Sequence, residues 1–342
     1  MAMQREGFPY WELIYDADGS LVPSGADSTL LSEVNETRLS DLFLFSHGWN
    51  NDQKQARDLY DRFFREMKKL LDDPTIRKPH PALIGTVGVI WPSMRWADEA
   101  VPTGATAAAA GLGGPPSNAE LVLGLKDVFT EPVQQQALDE MATLLASRPP
   151  GDEPLARFQA LMRQLDTRIL GGETPAQANA ADAQEDNGER CGLLESPARE
   201  VFTRFAELAR PPANEGGAAG LRDVLGAIWD GAKETLRTTT YWQMKRRAGV
   251  VGMRGVGPLI GRLRRERPDL RVHLLGHSFG GRVVAFALAG LPPDALSSKS
   301  PVKSVALLQG AFSHFAFAPM LPPTTPHAAA RSRVWRAAWT GP

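Results

Sequence analysis

The sequence predicts an α/β fold whose central sheet is mostly parallel and flanked by helices. Three observations carry that prediction. The apolar runs Asp41–Phe45 and Ile84–Trp91 enclose an amphipathic helical pattern, which is the order of a parallel crossover. A second strand–helix–strand alternation runs from Leu270 to Leu308. Between them, residues 101–238 read as a helical insertion with no convincing strand, so the sheet is split in sequence around it.

Along the chain, Tyr10–Tyr15 has the aromatic and branched residues of a strand, and Asp16-Ala17-Asp18-Gly19 supplies turn chemistry, so a hairpin is expected there. A polar stretch leads to Asp41–Phe45, a run without alternation, as in a strand covered on both faces. Ser46-His47-Gly48-Trp49-Asn50-Asn51-Asp52 then offers caps for a helix over 53–71. In that helix Ala56, Tyr60, Phe63, Phe64, Met67 and Leu71 recur at spacings of three and four. Ile84–Trp91, closed by Pro92, is the next interior strand. Residues 101–118 are small and flexible, with Gly113-Gly114-Pro115-Pro116 as a loop signal. Helical patterns follow at 133–146, 155–165, 197–208 and 221–236. Thr174–Arg190 is too polar to order itself by burial. Tyr241–Arg267 is mostly helical and is broken by Pro268-Asp269. A strand at 270–275, a helix at 279–290 and a strand at 304–308 complete the pattern.

Composition excludes several classes of function. The chain has 342 residues, enough at roughly 150 per domain for one large domain or two ordinary ones. With 38 basic against 39 acidic side chains it has no overall field for a polyanion, and nucleic acid is not expected as a partner. One cysteine, Cys191, and six scattered histidines form neither a disulfide scaffold nor a zinc spacing. Arg5, Glu6 and Glu12 interrupt any signal-peptide core. The longest apolar stretch, Val283–Leu291, is about half the roughly 20 residues that span a bilayer. A cytoplasmic protein without stable membrane insertion is the expectation.

The chemistry concentrates at Gly276-His277-Ser278-Phe279-Gly280-Gly281, a G-x-S-x-G pattern between a strand and a helix. In a nucleophile elbow the serine sits at a tight turn that raises its hydroxyl above the sheet, and the glycines permit two backbones to approach. A plain glycine-rich turn is the other reading. Such an elbow needs a second element, a loop after an earlier strand that supplies one N–H to an oxyanion hole, and His47-Gly48-Trp49 occupies that place. The alternative is that His47-Gly48 only ends a strand and leads into a helix cap.

These residues resemble the α/β-hydrolase superfamily, in particular its lipase and serine-esterase branch, with elbows reading G-H-S-x-G-G and an oxyanion strand ending in H-G. The likeness covers about 40–96 and 240–315. It implies a hydrolase core built from 1–100 and 239–320, with 101–238 as a helical lid containing a flexible segment at 174–190. It implies Ser278 as nucleophile, the amides of Trp49 and Phe279 as the oxyanion hole, and a small-molecule or lipid ester as substrate. No metal or organic cofactor is implied, and oligomeric state is left open.

The chain departs from that pattern after the nucleophile. Family members place an acid and then a histidine there. The residues after Ser278 hold a single carboxylate, Asp294, and two histidines, His314 and His327. Asp294 follows the helix behind the elbow and belongs at the bottom of the sheet. His314, after the last strand, is the one candidate base; packing or loop capping is its other reading. The tail 321–342 is irregular and free of acids, and it carries Trp335 and Trp339 among Ala, Arg, Pro and Gly, as GC-rich codons give when read out of frame. The expectation is a frameshift or premature stop after Leu321 that removes the final strands with the triad's acid and histidine. An ordinary disordered tail is the alternative. Two functions follow. One is ester hydrolysis through an acyl-enzyme on Ser278. The other is a catalytically impaired hydrolase-fold protein that binds an acyl ligand or a partner.

Arg262-Leu263-Arg264-Arg265-Glu266-Arg267 is read as a solvated helix face in preference to a nucleic-acid patch. Gly249–Gly261 is rich in glycine but has neither G-K-[ST] nor G-x-G-x-x-G, so it is not a phosphate loop.

Overall fold

The computed structural model describes residues 3–49, 51–76, 83–93, 118–127, 129–165, 196–209, 221–295 and 300–312. His314, the tail 321–342, the segment 174–190 and the loop 101–117 lie outside the described residues. The chain divides into two compact units, one formed by Met1–Met94 with Met244–Pro342 and the other by Arg95–Gln243.

The first unit is an α/β structure around a six-stranded sheet in the order β1-β2-β4-β3-β5-β6. The strands are β1 (Met3–Arg5), β2 (Phe8–Ile14), β3 (Asp41–Ser46), β4 (Ile84–Ile90), β5 (Arg271–His277) and β6 (Val302–Leu308). Only β1 runs antiparallel to its neighbour. The helices are α1 (Asp27–Glu36), α2 (Gln53–Asp72), α3 (Asn118–Leu123), α4 (Pro132–Ser147), α5 (Asp152–Leu165), α6 (Ala198–Ala209), α7 (Leu221–Val250), α8 (Gly257–Glu266) and α9 (Phe279–Ala289).

Side chains alternate across the strands, and in the interior strands β3 and β4 both sets are largely buried. On one face Phe45 meets Tyr60, Phe63 and Phe64 of α2 at ring-centroid distances of 5.2, 4.7 and 6.3 Å. On the other, Leu42, Leu44, Val87, Val89, Val272 and Leu274 are fully enclosed, and α9 packs against β3, β5 and β6. Each such side chain contributes roughly 1.5–3 kcal/mol by leaving water. The start of α2 is set by a capping box: Asp52 Oδ1 accepts from the Gln55 amide (2.8 Å) and Gln55 Oε1 from the Asp52 amide (3.2 Å).

The structure corrects three local expectations. The main N-terminal hairpin pairs β1 with β2 across Glu6-Gly7, whose φ values of +50° and +81° suit a two-residue primed turn. Asp16–Gly19 closes only a single bridge, Tyr15 to Leu21. The polar stretch before β3 contains α1, which has just Leu30 and Val34, one helical turn apart, as buried apolar anchors. Arg265 of α8 is exposed as expected, but the arginines around it are paired. Arg262 pairs with Asp27 (2.6 Å), Arg264 with Asp294 (3.2 Å), and Arg267 with Asp269 (2.9 Å) and the carbonyls of Val34 and Leu39.

The glycine-rich 249–261 stretch contains a π-helical segment, Val251–Val256, against α9. A Cβ on Gly257 would lie 2.6 Å from the Ala287 carbonyl oxygen, so the glycine there serves close helix packing. In the second unit the described residues form helices without strands. Its core includes Phe158, whose ring meets those of Phe202 and Trp229 edge-on at 5.9 and 5.7 Å. Among the described residues no helix is long and apolar enough to cross a membrane.

Candidate active site

β5 ends at His277 and α9 begins at Phe279, so Ser278 alone turns the chain, at φ +53° and ψ −118°. Positive φ in a residue with a Cβ costs of order 1–3 kcal/mol and persists only where the surroundings enforce it. They do so here: the Ser278 amide donates to the Leu308 carbonyl (3.0 Å), and its own carbonyl accepts from the amides of Gly281 (3.0 Å) and Ala311 (3.2 Å). The flanking glycines are steric requirements of this turn. A Cβ on Gly276 would run into the Gly280 carbonyl, and one on Gly280 into the carbonyls of Ser46 and His47. Ser278 itself is half-buried.

The loop after β3 lies directly against this turn. A Cβ on Gly48 would stand 2.9 Å from Ser278 Cβ and 3.0 Å from His277 Nδ1. One residue further on, the Trp49 ring is 6.1 Å from that of Phe279. Phe279 is the first residue of α9, at the positive end of that helix's dipole. The loop is shaped from below. Tyr60 Oη accepts from the His47 amide (3.0 Å) and donates to the Val89 carbonyl (2.5 Å). Asn51 Nδ2 donates to the carbonyls of Gly48 (3.2 Å) and Trp49 (3.1 Å).

His47 is fully enclosed and has both ring nitrogens engaged. Nε2 accepts from the Trp91 amide (3.2 Å), which leaves Nδ1–H to donate to the Gly48 carbonyl (3.0 Å). The Trp91 indole stacks on the ring at 5.5 Å and donates to the His47 carbonyl (3.0 Å). Burial pushes the imidazole pKa down to about 4, against smaller opposing effects of the Gly48 carbonyl and Asp52. This predicts a pH dependence of stability. The folded-state value lies below the ordinary 6.5, so the contribution is complete above about pH 6.5 and is lost as pH falls toward 4, by about 3 kcal/mol. Urea unfolding at pH 7.5 and pH 4 should show that loss, and His47→Gln should remove it. An NMR titration placing His47 near 6.5 would contradict it.

The other described histidines are engaged at one or both nitrogens. His277 Nε2 donates to Gln309 Oε1 (3.1 Å), while its buried Nδ1, beside Gly48, has no hydrogen-bond partner among the described residues. His273 lies further down β5 and bonds Asp41 and Ser304. Asp294 follows α9 and pairs with Arg264, at the opposite end of α9 from Ser278. The structure therefore brings Ser278, Phe279, Gly48 and Trp49 together, and among the described residues it gives Ser278 no hydrogen-bonded base. Sequence reasoning missed the segment after β6: Gln309, at φ +48°, and Ala311 lock onto His277 and Ser278. Its only signal is the Gln309-Gly310 pair closing an apolar run.

The chain matches no protein-family model, and searches of curated proteins and solved structures return no match.

Proposed function

We propose that this chain is a serine hydrolase of esterase or lipase type that cleaves a carboxylic ester, of a small molecule or a lipid, through an acyl-enzyme on Ser278. The observation that supports this reading best is the strained serine at the end of a parallel strand with the Gly48 loop packed on it. That arrangement is compatible with the α/β-hydrolase elbow, which the sequence resembles.

In the proposed reaction Ser278 Oγ adds to the ester carbonyl and forms a tetrahedral oxyanion. The amides of Trp49 and Phe279 donate to that oxyanion, assisted by the positive end of α9; one such donor is worth about 3 kcal/mol in the transition state. Collapse expels the alcohol with a proton, and water then releases the acid. The proton steps need a base, for which the sequence offers His314.

A second reading is acyl binding or single acylation without turnover. It is favoured by the engagement elsewhere of His47, His273 and His277. Burst kinetics with p-nitrophenyl butyrate separate the two. Release that continues beyond one equivalent supports the hydrolase; one equivalent followed by arrest supports the second reading. No burst and no turnover would overturn both the hydrolase and single acylation, and leave acyl binding alone.

A further inference from the structure

At the amino-terminal end of the same strands, away from Ser278, three side chains on one face of the sheet form a continuous hydrogen-bonded chain. Ser304 Oγ on β6 is 2.7 Å from His273 Nδ1 on β5, and His273 Nε2 is 3.0 Å from Asp41 Oδ1 on β3. Asp41 is buried and accepts from Arg271 Nε (2.9 Å) and Nη2 (2.6 Å) and from Ser40 Oγ (2.7 Å). The paired guanidinium helps hold its carboxyl down to about 2, against the opposing effect of burial, so near neutral pH it is ionised and can only accept. Nε2 of His273 must then carry the hydrogen of that bond, and when the ring is neutral its Nδ1 lone pair faces the Ser304 hydroxyl. The ring is also stacked on Phe43 at 4.5 Å with an interplanar angle of 20°.

Backbone geometry makes this juxtaposition. Val272 pairs with Val302, but the next residue, His273, pairs with Ser304, so a bulge carries Lys303 out of register and puts the serine opposite the imidazole. Bulges of this kind re-aim side chains. Ser304 is exposed, on the outer strand of the described sheet.

We propose that Ser304 is a second acylatable serine, independent of Ser278, that takes acyl groups from small activated esters, with His273 as its base and Asp41 as the residue that orients the base. Ser304 Oγ forms a bond to the carbonyl carbon while its proton passes to His273 Nδ1. The bond from carbon to the leaving oxygen breaks, and that oxygen receives the proton from His273. The products are Ser304 ester and free alcohol or phenol. A serine, an imidazole and a carboxylate in these roles define an activated nucleophile wherever they occur in a fold.

The test uses the full chain carrying Ser278→Ala, so that its outcome does not depend on the function proposed for Ser278. The protein is treated with p-nitrophenyl acetate, digested, and the acetylated residues are located by fragment sequencing. Acetylation of Ser304 should be at least about tenfold faster than that of an exposed reference serine such as Ser32, and His273→Gln should remove the advantage. The comparison with Ser32 stands alone if His273→Gln fails to fold. Acetylation of Ser304 no faster than of Ser32, or unchanged by a folded His273→Gln, would overturn the proposal.

Discussion

Exchange of Ser278 for glycine is expected to yield a more stable protein that has lost the acyl-enzyme burst. The residue sits at φ +53°, where a Cβ costs of order 1–3 kcal/mol. Glycine removes that cost but gives back roughly 0.5–1 kcal/mol in unfolded-chain entropy, so the net gain is about 1 kcal/mol. Ser278→Ala removes the same hydroxyl and keeps the Cβ, so it should lose the burst without the gain. Urea unfolding of both variants beside the wild type separates the two effects. A glycine variant less stable than the alanine variant by about 0.5–1 kcal/mol, the entropy cost alone, would mean that the turn stores no strain.

Alanine at position 48 should slow acylation about 100-fold. The added Cβ would meet Ser278 Cβ at 2.9 Å, His277 Nδ1 at 3.0 Å and the His277 carbonyl oxygen at 3.1 Å, all nearer than ordinary packing. The loop carrying Trp49, the turn carrying Ser278, or both must then shift. Displacing a reacting group by a fraction of an ångström up to about 1 Å can cost about 10²-fold in rate. Overpacking at such a point costs about 1–3 kcal/mol of stability. Stopped-flow measurement of the burst rate, with circular dichroism to verify folding, checks the expectation. An unchanged burst rate would remove the loop after β3 from the reaction.

The parts of the molecule legible in the sequence are those where one local rule dominates. Unbroken apolar runs marked β3 and β4 because side chains on both faces are buried, with α2 on one side and, for β3, α9 on the other. Gly276 and Gly280 were legible because the backbone contacts they permit leave no room for any other residue. What escaped depends on partners distant in sequence. Helix α1 holds two buried apolar anchors and otherwise leans on pairs such as Asp27 with Arg262. The turn at Glu6-Gly7 lacks the usual Asn or Asp. The ion pairs that fasten it, Arg65 to Glu6 and Arg57 to Glu12, join residues more than forty positions apart. His47 was legible only as part of the loop that ends β3; its enclosure by Tyr60 and Trp91 is a tertiary fact. The Ser304–His273–Asp41 chain depends on a bulge, and one residue of register decides whether serine or lysine faces the imidazole.

The central claim is that the hydroxyl at the β5–α9 turn is a nucleophile, and covalent capture by a fluorophosphonate tests it most directly. Trypsin cuts after Arg271 and Arg282, so the turn is carried on the single peptide Val272–Arg282. The account predicts a phosphonyl adduct on Ser278 in that peptide, formed by the folded chain and absent after prior unfolding in urea. A folded protein whose Val272–Arg282 peptide stays unmodified under saturating probe would contradict it.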